Sequence, residues 1–353
     1  MDFTKPLSKR LADFSIQDKT KWQKLAKKVI VLTLKIVIFP WGIYELARYI
    51  VQRLVMIPLY PAQSRIVRFF IRKLMPISEK DLDLFRKQIA IRMNEQGFLV
   101  RHVALEKNGV RYSGMLIGHK DTIANGKWAL QATGNLELIE HSAENIAKIY
   151  KDFQVNTLLI NGPAVGKSEG RATPESMGDA QEVGLSFLEN ALKANKIVIA
   201  GRSLGGASVG QAISKHEFKK DVKYLVVRQM TFDRASNICG KTVRNWSPRL
   251  GSFVKKVVKW SGCEMDSLAA SKKLQELGIK EIIVQATQRE IKSHELPKKD
   301  DFMTDGPILA HASLGYRLIK EKVVDNKVFL GLENAEHMTD SAILAARDEI
   351  LRI

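Results

Sequence analysis

Residues 196–206, with the sequence KIVIAGRSLGG, constrain the fold of this chain more than any other segment. An apolar run at residues 197–200 leads into a Gly-x-Ser-x-Gly motif centred on Ser203, and small residues follow the motif. This order predicts a strand, a tight turn and a helix, with Ser203 held at the turn in strained backbone geometry. Gly201 and Gly205 would leave room for the turn to pack against its neighbours.

Apolar strand-like runs alternate with helical patterns on both sides of this segment. We predict strands at residues 128–132, 157–160, 197–200, 224–227, 282–284 and 328–330, and helices at residues 136–150, 174–194, 204–214, 310–322 and 340–351. Upstream, two alternating segments flank Asn108 and Gly109, a pair typical of a β-hairpin turn. The pattern predicts an α/β fold, with a mostly parallel sheet and helices on both faces. Residues 230–271 interrupt the alternation, and we expect them to form a cap.

The N-terminal part of the chain is basic and apolar. Residues 1–80 carry 16 Lys and Arg against five Asp and Glu, which gives +11 of the total net charge of +18. Apolar runs at residues 29–44 and 50–60 lie among these cations, and this mixture favours an anionic membrane surface over nucleic acid. We therefore expect a helical, membrane-associating segment at residues 1–95 and the α/β domain at residues 96–353. Spanning the bilayer, lying in its interface and packing on the domain all stay open.

Two loops after predicted strands are candidates for binding. The backbone N–H of Asn135, together with that of Leu204, could donate to a developing negative charge, although Asn135 is also a suitable helix cap. The second loop contains Gly-Lys-Ser, as does a phosphate-binding loop. That loop needs four residues between its glycines, whereas Gly162 and Gly166 enclose only three. A nucleotide site at Lys167 is therefore the weakest of our hypotheses.

These motifs together resemble the α/β-hydrolase superfamily over residues 98–353. More narrowly, the loop GPAVGKSEG, the segment AGRSLGGASVG and the basic, apolar N-terminus resemble the CHLPS-type family of chlamydial proteins and the SidB-type proteins of Legionella. The narrower resemblance implies an intracellular bacterium and export towards a host-cell target. It does not fix a substrate.

The superfamily resemblance implies a catalytic triad in the chain order serine, acid, histidine. Ser203 is then the nucleophile, and His337 is the base because it follows the last predicted strand. Asp305, in the sequence Asp-Gly-Pro-Ile, is our candidate for the acid that orients the base. Glu290, which is nearer the end of its strand, is the alternative.

The leading hypothesis is a membrane-associated serine hydrolase that cleaves a carboxylic ester, with a lipid ester suggested by the N-terminal segment alone. The alternative is a catalytically silent scaffold of the same fold that binds a membrane or a host protein. No metal or organic cofactor is implied. The two cysteines, Cys239 and Cys263, suit neither a metal site nor a disulfide framework, and this favours a domain that faces a cytosol, bacterial or host.

Overall fold

The computed structural model describes residues 14–16, 26, 28–30, 43–51, 79–135, 137–244, 247–306, 308–333, 335 and 341–353. Within these ranges the strands form one sheet in the order β1-β2-β3-β5-β4-β6-β7-β8-β9. The strands are β1 (Ser15–Ile16), β2 (Phe98–Lys107), β3 (Val110–His119), β4 (Lys127–Ala132), β5 (Asn156–Ile160), β6 (Lys196–Arg202), β7 (Lys223–Gln229), β8 (Lys280–Thr287) and β9 (Lys327–Glu333).

The sheet is antiparallel at one side and parallel elsewhere. The predicted hairpin is present: β2 and β3 pair over their full lengths, and Asn108 and Gly109 turn the chain with φ values of 56° and 81°. From β5 through β4 and on to β9, each neighbouring pair of strands is parallel. The carboxyl ends of these six strands therefore lie at one edge of the sheet, which we call the carboxyl edge.

Helices cover both faces of the sheet. They are α1 (Glu79–Glu95), α2 (Ile139–Asp152), α3 (Pro174–Asn190), α4 (Leu204–Lys215), α5 (Ala235–Arg244), α6 (Pro248–Trp260), α7 (Ser267–Glu276), α8 (Leu314–Glu321), α9 (Ser341–Ala345) and α10 (Arg347–Leu351). Strand β6 shows how the two cores divide. Ile197 and Ile199 face the core under α3, α4 and α7, whereas Val198 and Ala200 face the core under α2, α9 and α10. This alternation is the period of a strand that is buried on both faces.

Three helices differ from the prediction in their bounds or in the part of the chain to which they belong. Helix α2 begins at Ile139 rather than at residue 136, because the Ile139 N–H donates to Oδ1 of Asn161 (3.1 Å) and Leu138 is still extended. The predicted last helix is divided at Ala346, which separates α9 from α10. Helix α1, which the sequence analysis assigns to the N-terminal segment, packs on the sheet through the buried Ile89 and Met93.

Two helices, α5 and α6, lie between β7 and α7, within residues 230–271, for which a cap is predicted. Helices α5 and α6 pack closely against each other, and α7 then returns to the face of the sheet beside α4. Most of the apolar runs expected at residues 29–44 and 50–60 lie outside the described residues, although residues 43–51 are helical. In the part of the chain that the structure describes, no helix has the length and apolar character needed to cross a bilayer.

Three charged side chains are buried together between β7, β8 and β9. Glu281 forms ion pairs with Arg228 (3.0 Å) and with Lys327 (3.2 Å), and all three side chains are fully buried. Ser271 donates a hydrogen bond to the same carboxylate (3.0 Å), and Arg228 donates to the Ser267 carbonyl (2.9 Å). Burial alone would disfavour each charge, so the stability of the cluster depends on mutual pairing.

Candidate active site

Ser203 lies at the junction of β6 and α4, at the carboxyl edge of the sheet. Its backbone has φ 52° and ψ −119°, a conformation that residues other than glycine adopt rarely, at a cost of about 1–3 kcal/mol. The Ser203 N–H donates to the Gln229 carbonyl of β7 (2.8 Å), and the Thr231 hydroxyl donates to the Ser203 carbonyl. These contacts with β7 and the loop after it hold the strained turn in place.

The two glycines of the motif allow the backbone to pack at contact distance. A Cβ atom on Gly201 would lie 2.6 Å from the carbonyl oxygen of Gly205. A Cβ atom on Gly205 would lie 2.4 Å from the Thr133 carbonyl oxygen, in the turn after β4. Side chains do not tolerate such approaches to backbone atoms, so the motif requires glycine at both positions.

Asn135 lies in the turn after β4. The contact between Gly205 and Thr133 places this turn beside the end of α4 that carries Leu204. The Asn135 side chain does not cap α2, because the N-cap residue of that helix is Leu138. Oδ1 of Asn135 has no hydrogen-bond partner within the described part of the chain. The two backbone segments expected to supply the N–H donors, at Leu204 and Asn135, are therefore neighbours. The prediction that Asn135 caps the helix is wrong.

Glu137 ties the turn after β4 to the Ser203 motif. Its Oε2 accepts a hydrogen bond from the Gly134 N–H (3.0 Å). The same oxygen forms an ion pair with Arg202 (2.7 Å), the residue just before Ser203. Both charged side chains are only 12% exposed. This pair was not predictable from local sequence, because its members are 65 residues apart in the chain. The one local signal was a charged residue at the variable position before the serine.

The loop after β5 does not form a phosphate cradle. Ser168 uses its hydroxyl to bond the Asn161 carbonyl (2.9 Å) and to accept from the Ser113 N–H (2.9 Å), while Lys167 pairs with Asp83 of α1. A phosphate-binding loop leads directly into a helix at its Lys-Ser pair, whereas α3 begins only at Pro174. The nucleotide-binding hypothesis for Lys167 is therefore wrong.

The two candidate acids have different environments after β8. Asp305 is 4% exposed, and its turn is closed by reciprocal backbone hydrogen bonds with Ile308 (3.0 and 3.1 Å). Ile308 belongs to the same apolar cluster as Leu204, so the Asp305 turn packs towards the Ser203 motif. Glu290 is exposed to solvent. An orienting acid acts from a buried position, and this difference favours Asp305.

Strand β9 leads towards the expected base. It ends at Glu333, and His337 lies outside the described residues, so its assignment stays a prediction. The loop that carries the candidate acids is fastened to this strand. Ile291 and Gly331 exchange backbone hydrogen bonds (3.1 and 3.0 Å) on the outer side of β9.

Asp233 is a buried carboxylate at the carboxyl edge that the sequence analysis did not identify. Burial raises its pKa to about 6, although the Asn237 amide donates to both of its oxygens (2.9 and 2.8 Å) and lowers it in part. Its backbone accepts from the Ser267 N–H and donates to the Ala312 carbonyl. These bonds hold Asp233 in place in the loop between β7 and α5, where the inserted helices begin.

The cysteines lie in the inserted region and its apolar cluster. Cys239 is half-buried and Cys263 is fully buried, and burial raises the pKa of the Cys239 thiol to about 12. A thiol with so high a pKa is a poor nucleophile at neutral pH. Across the described ranges, His, Cys, Asp and Glu side chains form no group of three or more that could hold a metal ion.

Comparison with known proteins gives a family and a fold. The profile described as Chlamydia CHLPS protein (DUF818) matches residues 15–347. The structure is similar to that of an α/β-hydrolase from Vibrio vulnificus, with a TM-score of 0.54, 17% identity and coverage of 82% of this chain and 94% of the other. It is also similar to an esterase from Pyrococcus furiosus, with a TM-score of 0.51, 14% identity and coverage of 73% and 91%.

Proposed function

The chain belongs to the Chlamydia CHLPS protein family and has the α/β-hydrolase fold, and from this premise we propose that it is a serine hydrolase that cleaves carboxylic esters. The observation that carries the proposal is the strained backbone of Ser203 at the end of β6. Strain of this kind persists only where the surrounding structure maintains it, and it is concentrated at catalytic sites. Here the surrounding glycine contacts, Thr231 and Gln229 serve to present one serine side chain.

The proposed reaction follows from the position of each group. Ser203 Oγ attacks the carbonyl carbon of the ester while His337 accepts the serine proton. The backbone N–H groups of Leu204 and Asn135 stabilise the negative charge that develops on the carbonyl oxygen. His337 then protonates the departing alcohol, and water hydrolyses the acyl-enzyme by the same steps in reverse. Asp305 keeps the imidazole correctly oriented.

A lipid ester is our proposal for the substrate class. It rests on the basic and apolar N-terminal segment, which favours association with an anionic membrane. A membrane-associated location for the protein is part of the same proposal.

Labelling with a fluorophosphonate probe tests the central proposal. We expect the purified full chain to form a covalent adduct, and peptide mass spectrometry to find that adduct on Ser203. The reason is that such probes react with serines activated by a neighbouring base. A heat-denatured sample is the control. A folded protein that shows no labelling, with or without membranes, would contradict the enzyme hypothesis and favour the silent scaffold.

A second prediction concerns Glu137, a positioning residue. We expect Glu137→Gln to lower kcat/KM for a soluble ester by about tenfold or more, because the turn that carries Asn135 loses its tie to Arg202. The loss should fall mainly on kcat, since the oxyanion develops only in the transition state.

The matched control for this variant is Glu144→Gln. Glu144 forms an ion pair with Lys148 on the surface of α2 (2.9 Å). Its removal should leave both kinetic constants near their wild-type values. If Glu137→Gln behaved like this control, the proposed positioning role would be wrong.

A further inference from the structure

An apolar, cation-bordered surface lies on the inserted helix α6. Leu250, Phe253, Val257 and Trp260 follow one another at helical spacing along one side of this helix. Leu250, Phe253 and Trp260 are exposed, and Phe253 is 61% accessible. Val258, on the opposite side of the helix, is buried in the apolar cluster that also contains Leu204 and Ile308. A helix that packed only on its own domain would not carry a second apolar stripe on its solvent side.

The helical segment at residues 43–51 has its apolar side turned outwards. Ile43, Leu46 and Ile50 are exposed by about half of their surface. The polar pair Glu45 and Arg48 (3.6 Å apart) is less exposed. A surface helix in water normally has the reverse orientation. Exposed apolar side chains grouped in this way are typical of a surface that binds a partner or a membrane.

These two helices are neighbours. The ring of Tyr44 contacts the ring of Trp260 edge-on, with centroids 5.5 Å apart. Arg48 lies against Gly262, which follows α6 in the chain. At the other end of the segment, Tyr49 accepts a hydrogen bond from Arg171. The two apolar stripes therefore form parts of one surface, which we call the α6 surface.

The charge of the α6 surface fits a negatively charged partner. Helix α6 contains Arg249, Lys255, Lys256 and Lys259 and no acidic residue. Arg249 and Lys256 lie next to the apolar stripe by helical geometry, and both are exposed. Large apolar side chains bordered by cations match a bilayer with anionic headgroups, because the acyl region takes up the apolar side chains while the headgroups bind the cations.

The α6 surface also lies on the side of the molecule that carries Ser203. Helices α5 and α6 follow the carboxyl end of β7, and Val258 shares an apolar cluster with Leu204, the residue after Ser203. We propose that the α6 surface docks the protein on an anionic lipid bilayer, with the carboxyl edge of the sheet turned towards the membrane. The docking assigns a surface to the membrane association proposed above and is independent of catalysis, and the use of the orientation rests on the proposed hydrolase activity.

Vesicle flotation with the full chain tests the docking. The probes are vesicles of phosphatidylcholine alone and vesicles of phosphatidylcholine mixed with phosphatidylglycerol. We expect the wild-type protein to float with the mixed vesicles and at least tenfold less with the neutral ones. The double variant Leu250→Ser, Phe253→Ser should lose at least tenfold in partitioning to mixed vesicles, because two large side chains no longer enter the acyl region.

Control variants distinguish binding through the α6 surface from non-specific binding of any exposed apolar or basic side chain. Leu277→Ser removes an exposed apolar side chain before β8, at the opposite edge of the sheet, and should leave flotation unchanged. Lys256→Glu should weaken flotation, whereas Lys223→Glu at the start of β7 should have little effect. Leu46→Ser tests the same surface independently, from the helical segment at residues 43–51. Thermal unfolding verifies that each variant is folded.

The outcomes are distinct. Equal flotation of the wild-type protein and the α6 variants, or equal binding to neutral and anionic vesicles, would overturn the proposal. If the wild-type protein dimerised in solution, floated with neither kind of vesicle and became monomeric in the α6 variants, the partner would instead be a second copy of the chain. Fluorophosphonate labelling in vesicle-free buffer reports separately on Ser203, so failure of the hydrolase proposal would leave the flotation result standing.

Discussion

Replacing Ser203 with alanine is expected to lower kcat for ester hydrolysis by about 10⁴-fold or more, with little change in stability. The serine supplies the bond-forming atom, and loss of a triad nucleophile leaves only the contribution of the oxyanion donors and of substrate binding. Alanine fits the same space, and the backbone contacts to Gln229 and Thr231 do not involve the side chain. The measurement is steady-state hydrolysis of a soluble chromogenic ester, which avoids any dependence on membranes.

Ser214→Ala is the matched control for this experiment. Ser214 lies on the same helix, α4, and its hydroxyl bonds the Gly210 carbonyl one turn earlier (2.9 Å). It should retain wild-type kcat. A Ser203→Ala protein that retained most of the wild-type activity would show that another group performs the reaction, and the proposed mechanism would fail.

The largest expected effect on stability comes from Glu281. Glu281→Ala should lower the free energy of unfolding by about 3–5 kcal/mol, because it leaves Arg228 and Lys327 buried without their shared counter-charge. Burial already lowers the pKa of Lys327, and the attraction to Glu281 opposes that effect. Chemical denaturation followed by circular dichroism gives the difference directly.

Glu321→Ala provides the comparison for a surface ion pair. Glu321 pairs with Arg317 one turn away on α8 (2.8 Å), and both side chains are partly solvated. Such pairs contribute about 0.3–0.5 kcal/mol, so this variant should unfold almost as the wild-type protein does. If the two variants had equal stability, the buried cluster would not be a net source of structural stability.

The fold was predictable from the sequence wherever local pattern determines structure. The Asn108-Gly109 hairpin and the succession β6, Ser203, α4 were predicted within a residue or two. Positive-φ turns and buried strands depend on neighbours in the chain. Boundaries set by distant side chains were missed. The start of α2 at Ile139 depends on Asn161, which lies 22 residues away.

The candidate site was only partly predictable, for the same reason. The Ser203 motif is continuous in the chain, whereas the pairing of Glu137 with Arg202 arises only when β4 and β6 become neighbours. The sequence pattern favoured Asp305 over Glu290, but the burial of Asp305 that supports this choice could not be read from the spacing. His337 rests on chain order alone.

The hydrogen bonds between Ile291 and Gly331 have a consequence for solubility. An open sheet ends in a strand whose outer N–H and C=O groups can pair with another chain and seed aggregation. Among the strands that the structure describes, β9 ends the sheet in this way, and the Ile291 segment occupies its outer side at Gly331. The loop between β8 and α8 therefore covers this edge at Gly331 as well as carrying Asp305.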